Sequence, residues 1–291
     1  MSKLTILLCT FNGDNYLEEQ LNSFESQAYK NWDIVVSDDG SKDETLSILK
    51  KYQQKWGKNK MVIIHGPRQG FGINFLSLIC NQPFTSEYYA FADQDDIWNY
   101  DKLAYGIDEL VMSGSDGLSS DVIAYWPENN KKKLLKKSFP QKKYVFFFEG
   151  PGPGCSQIFT QSSFKIFQNF VIQNKSNLDT IDYHDWLTYA FYRYNNLKWF
   201  ISKEPKMLYR QHEENQIGAN SGLIAKFDRI NRIKNSWYKE QVVNTYKLIS
   251  SNEFEEFIKN ENLISKPLSL RRKLSHSIVI WFLILFKIFK G

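Results

Sequence analysis

The chain has 291 residues, 42% of them hydrophobic, 16% aromatic and 24% charged, the make-up of a folded globular protein rather than a disordered one. Its net charge of +5 is unevenly spread: residues 206–291 carry 15 Lys+Arg against 8 Asp+Glu, whereas residues 1–205 carry 22 against 24. A nucleic-acid binder needs positive charge over its folded domain, so no nucleic acid is expected as partner, and the basic C-terminal part points to an anionic membrane surface.

The opening "MSKLTILLCTFNG" has too short an apolar run for a secretory signal, and a cytoplasmic, reducing location is expected. The three cysteines, Cys9, Cys80 and Cys155, are widely spaced with no CxxC pair, which argues against a disulfide framework or a structural zinc site. Leu4–Cys9 is a short apolar run ending in a polar turn, as a buried parallel strand reads. Leu17, Leu21 and Phe24 then recur at helical spacing. Ile34–Ser37 forms a second strand closed by an Asp-Gly turn. Leu46, Leu49, Tyr52 and Trp56 mark a second helix, Met61–His65 a third strand, Ile73–Ile79 a third helix and Tyr88–Ala92 a fourth strand.

This βαβαβαβ rhythm predicts an α/β fold with a mostly parallel central sheet flanked by helices. Ligands in such sheets bind at the C-terminal ends of the strands. From Val122 to Phe148 the pattern loosens into antiparallel structure around a basic loop, "NNKKKLLKK". The "GPGPG" of Gly150–Gly154 reads as a loop, "CSQIFT" as a strand, Trp186–Tyr194 as a helix opened by Asp185, and "KMLYRQHEENQIG" as a strand running into a polar loop. Beyond Gly222 the chain reads as helical and basic.

Neither GxGxxG nor GxxxxGK[ST] follows the first strand, so phosphate charge must be met without a glycine cradle. "ADQDDIW" supplies another device: Asp93, Asp95 and Asp96 crowd the end of the fourth strand. Like charges this close repel and raise each other's pKa, whereas a hard divalent cation takes one or two carboxylates plus substrate phosphates. Asp93 and Asp95 can reach a metal and a ribose from one strand end. The plainer possibility is a solvated turn or a helix cap at Asp96. Asp38 and Asp39 close the second strand, where a carboxylate can accept the imide N–H of uracil or thymine or simply form an Asx-turn. Asp185 is either a helix cap or a general base whose pKa is raised by apolar neighbours. Arg210 and His212 suit diphosphate or metal contacts.

"TILLCTFNG", "LNSFESQAYKNWDIVVSDDGSKDET", "GFGINF", "ADQDDIW" and "HDWL" together resemble the family 2 glycosyltransferases of GT-A fold, over roughly residues 3–220. "ADQDDIW" with "YRQHEENQIG" is most similar to the bacterial rhamnosyltransferase-type branch that builds O-antigens and capsules. The resemblance implies a nucleotide pocket lined by Thr10 and Asn12, a base-binding Asp39, and a DxD region read as Asp93/Asp95 or Asp95/Asp96, with Asp95 common to both. It implies Arg210 at the nucleotide sugar, and Asp95, Asp96 and His212 around a divalent cation, Mn²⁺ or Mg²⁺. Asp185 matches the catalytic base of an inverting transfer, with His184 where the family often has Glu, which alters the base's charge partner. The implied donor is dTDP-L-rhamnose, with a UDP-hexose as alternative, and the implied acceptor a polyprenyl-diphosphate-linked glycan. A metal-dependent phosphohydrolase and a non-catalytic, membrane-tethered nucleotide-binding protein are the rival classes.

On this reading residues 1–220 form the glycosyltransferase domain and 221–291 a helical extension. That extension ends in Ile278–Phe286, nine consecutive apolar residues. With Ile288 and Phe289 the segment is about 18 Å long as a helix, short of the roughly 20 residues a bilayer core needs. It fits a peripheral anchor on the inner face of the cell membrane, with Arg271, Arg272 and Lys273 at anionic headgroups. Burial in the core or in a dimer is the alternative.

Overall fold

Strand β1 (Leu4–Thr10) is buried along its whole length, as its unbroken apolar run requires. The pleat sends Leu4, Ile6 and Leu8 into one core and Leu7 and Cys9 into another. In this computed structural model residues 2–81, 83, 85–212 and 237–286 are described. Glu213–Gly218 of the polar-loop motif, and Ile288 and Phe289 of the tail, lie outside them.

β1 pairs in parallel with β2 (Trp32–Asp38) and β4 (Tyr88–Ala92), and β2 with β3 (Met61–His65). Helices α1 (Asp14–Glu25), α2 (Thr45–Trp56) and α3 (Phe71–Asn81) connect these strands. In α1 the buried Leu17, Leu21 and Phe24 make the expected stripe. The sheet continues through β9 (Ile158–Thr160), antiparallel to β4, then β6 (Gly117–Ser120) and β10 (Trp199–Ser202), giving the order β10-β6-β9-β4-β1-β2-β3. It is a mostly parallel sheet with helices on both faces, as expected. Registers Thr10↔Asp38 and Asp38↔His65 bring the strand ends level, so the loops after β1, β2 and β4 share one edge.

A second sheet has the order β5-β11-β7-β8, from β5 (Ile97–Trp98), β11 (Met207–Arg210), β7 (Val122–Trp126) and β8 (Lys131–Leu135). Here the sequence expectation needs correcting. The basic stretch read as a loop is largely β8, antiparallel to β7. Lys131 and Lys132 stand opposite Trp126 and Tyr125 and lay their ammonium groups 5.4 Å from the ring centroids, so cation–π contacts hold the strand. "CSQIFT" is strand only over Ile158–Thr160, because Gly154–Ser156 form a 3₁₀ turn.

The core facing α3 is aromatic: Phe75, Phe91, Phe159, Phe164, Phe167, Tyr189 and Tyr192 cluster with α6 (Gln161–Gln173) and α7 (His184–Tyr194). The C-terminal helices join the same cluster, through Val242 and Tyr246 of α8 (Trp237–Ser250), Phe254 of α9 (Phe254–Asn260), and Ile280 and Ile284 of α10 (Leu274–Leu285). Helices α4 (Lys102–Ser113) and one-turn α5 (Val145–Phe148) complete the element order. α10 is two-faced: Ser277, Ile280 and Ile284 are buried, whereas Leu274, Ile278, Val279, Phe282 and Phe286 are exposed. Among the described residues no helix is long and apolar enough to cross a membrane.

Arg271 and Arg272 do not face outward as the headgroup assignment required. Both pair with Glu149, and Arg272 donates to the Gly150 carbonyl at 2.5 Å. The half-buried Glu149 carboxylate competes better for these guanidinium groups than solvent does.

Candidate active site

Two acidic strand ends face each other across the β1 loop. Asp38 is a turn-former: its Oδ1 accepts the N–H of Gly40 (3.1 Å) and Ser41 (2.9 Å), and its Oδ2 accepts the hydroxyls of Thr10 (2.9 Å) and Ser41 (2.6 Å). This is the Asx-turn alternative realised. The neighbouring Asp39 reaches instead to the loop after β3, accepting N–H from Arg68 (2.6 Å) and Gly70 (2.8 Å). Each carboxylate oxygen has two lone pairs, so Asp39 keeps acceptor capacity. Asn12 takes the left-handed conformation (φ 45°) and joins the two loops, its amide N–H on Ser41 Oγ (2.9 Å) and its Oδ1 accepting from Lys42 N (2.9 Å).

After β4 the carboxylates divide into two groups. Asp95 points to His212, whose Nε2 lies 2.8 Å from Asp95 Oδ2. Asp93 and Asp96 turn inward, and their oxygens and the Cys155 sulfur all lie within 4.8 Å of one another. Asp96 is 0% exposed; its Oδ1 accepts Arg210 N–H at 3.1 Å, while its Oδ2 receives no hydrogen bond from a described residue. Burial first, and the neighbouring carboxylates second, push Asp93 up to about 7 and Asp96 well above the usual carboxylate range. Burial and the same two carboxylates raise the Cys155 thiol.

Arg210 is buried beneath this cluster rather than presented at its surface. It donates Nε–H to the Asp95 carbonyl (2.7 Å), pairs with Glu19, and lies over the Tyr16 ring at 4.7 Å. The same Tyr16 ring meets His212 at 4.6 Å, so Tyr16 packs Arg210 and His212 together.

Asp185 sits in the first turn of α7, whose cap residue is Tyr183, so the capping role does not apply. Its Oδ1 accepts the Trp186 N–H at 2.8 Å, and its Oδ2 has no partner side chain among the described residues. Burial pushes its carboxyl up to about 6, while the Trp186 N–H and the Lys137 charge pull it back. Asp93 also feels Asp185, so Asp185 lies within electrostatic reach of the acidic cluster. His184 is no charge partner. Its ring stacks on Phe75 at 3.9 Å, neither nitrogen finds a partner among the described residues, and burial drives it down to about 3. Neutral imidazole fills the core here, and the cation felt at Asp185 is Lys137.

The comparisons with known proteins fit this geometry. The model of the Glycosyl transferase family 2 domain matches residues 5–172. The chain is also 36% identical over 290 residues to a Shigella flexneri protein named dTDP-rhamnosyl transferase RfbG, covering 97% of this chain and 100% of that one. The chain is a family 2 glycosyltransferase. Its fold is that of solved GT-A enzymes. S. aureus TarS residues 1–349, in complex with UDP-GlcNAc, aligns with a TM-score of 0.54 at 18% identity, covering 92% of this chain and 79% of that one. The mannosyltransferase PcManGT of Pyrobaculum calidifontis, in complex with GDP-Man and Mn²⁺, aligns at 0.55 and 14%, covering 96% and 74%. Family membership sets aside the phosphohydrolase and scaffold classes.

The glycosyltransferase's donor atoms suit a hard divalent cation. Asp95 and His212 converge, the carboxylates of Asp93 and Asp96 lie alongside, and Asp96 Oδ2 is buried without a donor. Soft, protonated Cys155 is a poor ligand for such an ion. Two supporting residues were not foreseen. Gln94 clamps the β1 loop, accepting Phe11 N–H (2.8 Å) and donating to the Phe11 carbonyl (3.0 Å), and a side chain at Gly13 would lie 2.4 Å from it. Lys102, pushed down to about 8 by burial, rests over Trp98 at 3.9 Å and is drawn partly back up by Cys155 and Asp96. Neither carries a sequence signal: Gln94 reads as a spacer between two carboxylates and Lys102 as an ordinary surface lysine.

Proposed function

We propose that this glycosyltransferase moves L-rhamnose from dTDP-L-rhamnose to a hydroxyl of a lipid-linked oligosaccharide, with inversion at the anomeric carbon, in bacterial surface polysaccharide synthesis. What supports the donor is the 36% identity that runs the full length of the S. flexneri dTDP-rhamnosyl transferase. What supports the chemistry is Asp185, a half-buried carboxylate with one oxygen fixed by a backbone N–H and its pKa raised to about 6, the range of a general base.

In this reading Asp39 accepts from the base, Thr10 and Asn12 border the nucleotide, and Asp93 reaches the ribose. Asp95 and His212, with Asp96 alongside, hold Mn²⁺ or Mg²⁺, which supplies positive charge for the departing diphosphate. Arg210 contributes to the nucleotide-sugar site from below, holding Asp95 and Asp96 through its bonds to both. Asp185 takes the proton of the acceptor hydroxyl, the freed oxygen attacks the anomeric carbon, and the bond to the nucleoside diphosphate breaks on the opposite face. One base and one displacement give inversion.

The enzyme is proposed to work in the cytoplasm at the inner face of the cell membrane. The exposed apolar face of α10 and the basic excess of residues 206–291 support this. Incubating the protein with dTDP-L-rhamnose and with UDP-hexoses, and measuring nucleoside diphosphate release, tests the donor. Release from a UDP-hexose alone refutes the rhamnose assignment.

A further inference from the structure

On the other side of Asp185 lies a cluster that the donor site does not use. Glu149 and Gly150 follow α5, and Arg271 and Arg272 reach them from the segment before α10. Arg272 N and Nε lie 2.6 and 3.4 Å from Glu149 Oε1, and Arg271 Nη2 lies 3.3 Å from Oε2. Arg272 Nη2 donates to the Gly150 carbonyl at 2.5 Å. Arg271 Nη1 lies 3.4 Å from the Tyr238 hydroxyl, and Tyr238 stacks on Trp186, the residue after the base. Lys137 completes the group, its stem against Gly152 of the glycine-proline loop. It makes no ion pair or side-chain hydrogen bond among the described residues.

Two arginines therefore share one carboxylate, Glu149, and the Lys137 charge reaches Asp185. The Arg272 side chain is 2% exposed, yet its Nη1, like Nε of Arg271, is buried without a hydrogen-bond partner among the described residues. Buried guanidinium donors are costly to leave unpaired. Planar guanidinium groups beside a mobile ammonium are the side chains that bind phosphate. The cluster touches the base's own surroundings: a side chain at Gly150 would lie 3.6 Å from Trp186 Cβ, and one at Gly154 only 3.1 Å from Asp185 Cβ. Asp185 lies within electrostatic reach of both Lys137 and Asp93.

We infer that Lys137, Arg271 and Arg272 form a second anion subsite, opposite the donor site across Asp185, that binds a phosphoryl group carried by the acceptor. This rests on the glycosyl-transfer reading for the word acceptor, but the subsite can be tested without turnover. Inorganic pyrophosphate is titrated into the full-length protein in excess chelator, which removes metal-assisted binding at the donor site. Because Arg272→Gln would take a side-chain donor from both Glu149 and the Gly150 carbonyl, the variants are Lys137→Gln and Lys137→Arg. Wild type is expected to bind, Lys137→Gln to bind about tenfold or more weakly, and Lys137→Arg to recover, as for loss of one charge-assisted hydrogen bond. No binding by wild type, or equal binding by Lys137→Gln, overturns the subsite.

Two acceptors with the same glycan, one an alkyl diphosphate and one a neutral alkyl glycoside, then separate the sources of phosphate. The ratio of their KM values should collapse in Lys137→Gln, whereas a mere effect on the base would change kcat for both alike. If Lys137→Gln instead weakens only co-sedimentation with phosphatidylglycerol vesicles, the phosphate belongs to a lipid headgroup and the acceptor assignment falls. Pyrophosphate binding that depends on Lys137 in a protein turning over no donor would sink the transfer reading and leave the subsite standing.

Discussion

Asp95 and His212 meet although 117 residues separate them in the chain, their Oδ2 and Nε2 lying 2.8 Å apart. Asp95 leads from β4 into β5, and β5 pairs antiparallel with β11, which His212 follows, so the second sheet brings the two together. A hydrogen bond between an imidazole and a carboxylate is also the arrangement from which a divalent cation can draw two ligands. Asp95→Asn is expected to lower turnover at least a hundredfold while the melting temperature stays close to that of wild type. His212→Ala should raise the Mn²⁺ concentration needed for half-maximal activity. Full wild-type activity in excess chelator would remove the cation from the mechanism.

Asp185→Asn keeps the shape of the base and removes its proton affinity. The expected loss in kcat is about 10²–10⁴, with the donor KM nearly unchanged because the group faces the acceptor. Comparable losses in both parameters would make Asp185 structural. A product that retains the donor's anomeric configuration would exclude a single displacement.

The same carboxyl sets a pH limb. Its pKa is raised to about 6, chiefly by burial, and the base works only when deprotonated. Below about pH 6 kcat should therefore fall roughly tenfold per unit, and above it level off. An ordinary exposed Asp would place that limb near pH 4. A profile flat down to pH 4.5 would mean that Asp185 does not carry the proton.

Donor identity can be read from stability. A ligand at about a hundred times its Kd stabilises the folded state by about 2.7 kcal/mol, a shift that a melting experiment resolves. dTDP-L-rhamnose with Mn²⁺ is expected to give it. A shift with UDP-hexoses only would keep the family and reassign the sugar.

Removing residues 273–291 should now cost stability as well as membrane affinity. Ile280 and Ile284 are each 3% exposed, and burying such a side chain contributes about 1.5–3 kcal/mol. A clearly lower melting temperature is expected, together with loss of binding to anionic vesicles through the outward face of α10. Unchanged melting would show that the helix is detachable. Full-length protein that ignores such vesicles would end the membrane assignment.

Much of this was legible before any coordinates. Met61–His65 and Tyr88–Ala92 fold as read, because an apolar run closed by a polar turn has few other places to go. Thr10, Asn12, Asp39 and Asp93 lie at the level edge that parallel strands share. Less was legible where tertiary contact overrides local pattern. "KKKLL" reads as loop because lysines are poor strand formers, yet the rings opposite them on β7 hold them in a strand. Arg210 reads as a cation aimed at a diphosphate, but Glu19, 191 residues away, and the Asp95 carbonyl draw it inside. Arg271 and Arg272 look like a membrane-facing pair for the same reason, since nothing near them in the chain announces Glu149.

That last contact also bears on how the protein is made. Glu149 leaves the ribosome long before Arg271, which follows 122 residues later. At synthesis rates of about 5–20 residues per second that interval is roughly 6–25 s. By the end of it Phe147, Phe148 and Trp186 have been made, whereas α10, which joins the same core cluster, has not been translated. The nascent chain thus passes through a period with a greasy, unfinished flank, during which a chaperone has the clearest claim on it. Messages truncated near their end would release chains halted at that stage, prone to clump rather than merely idle.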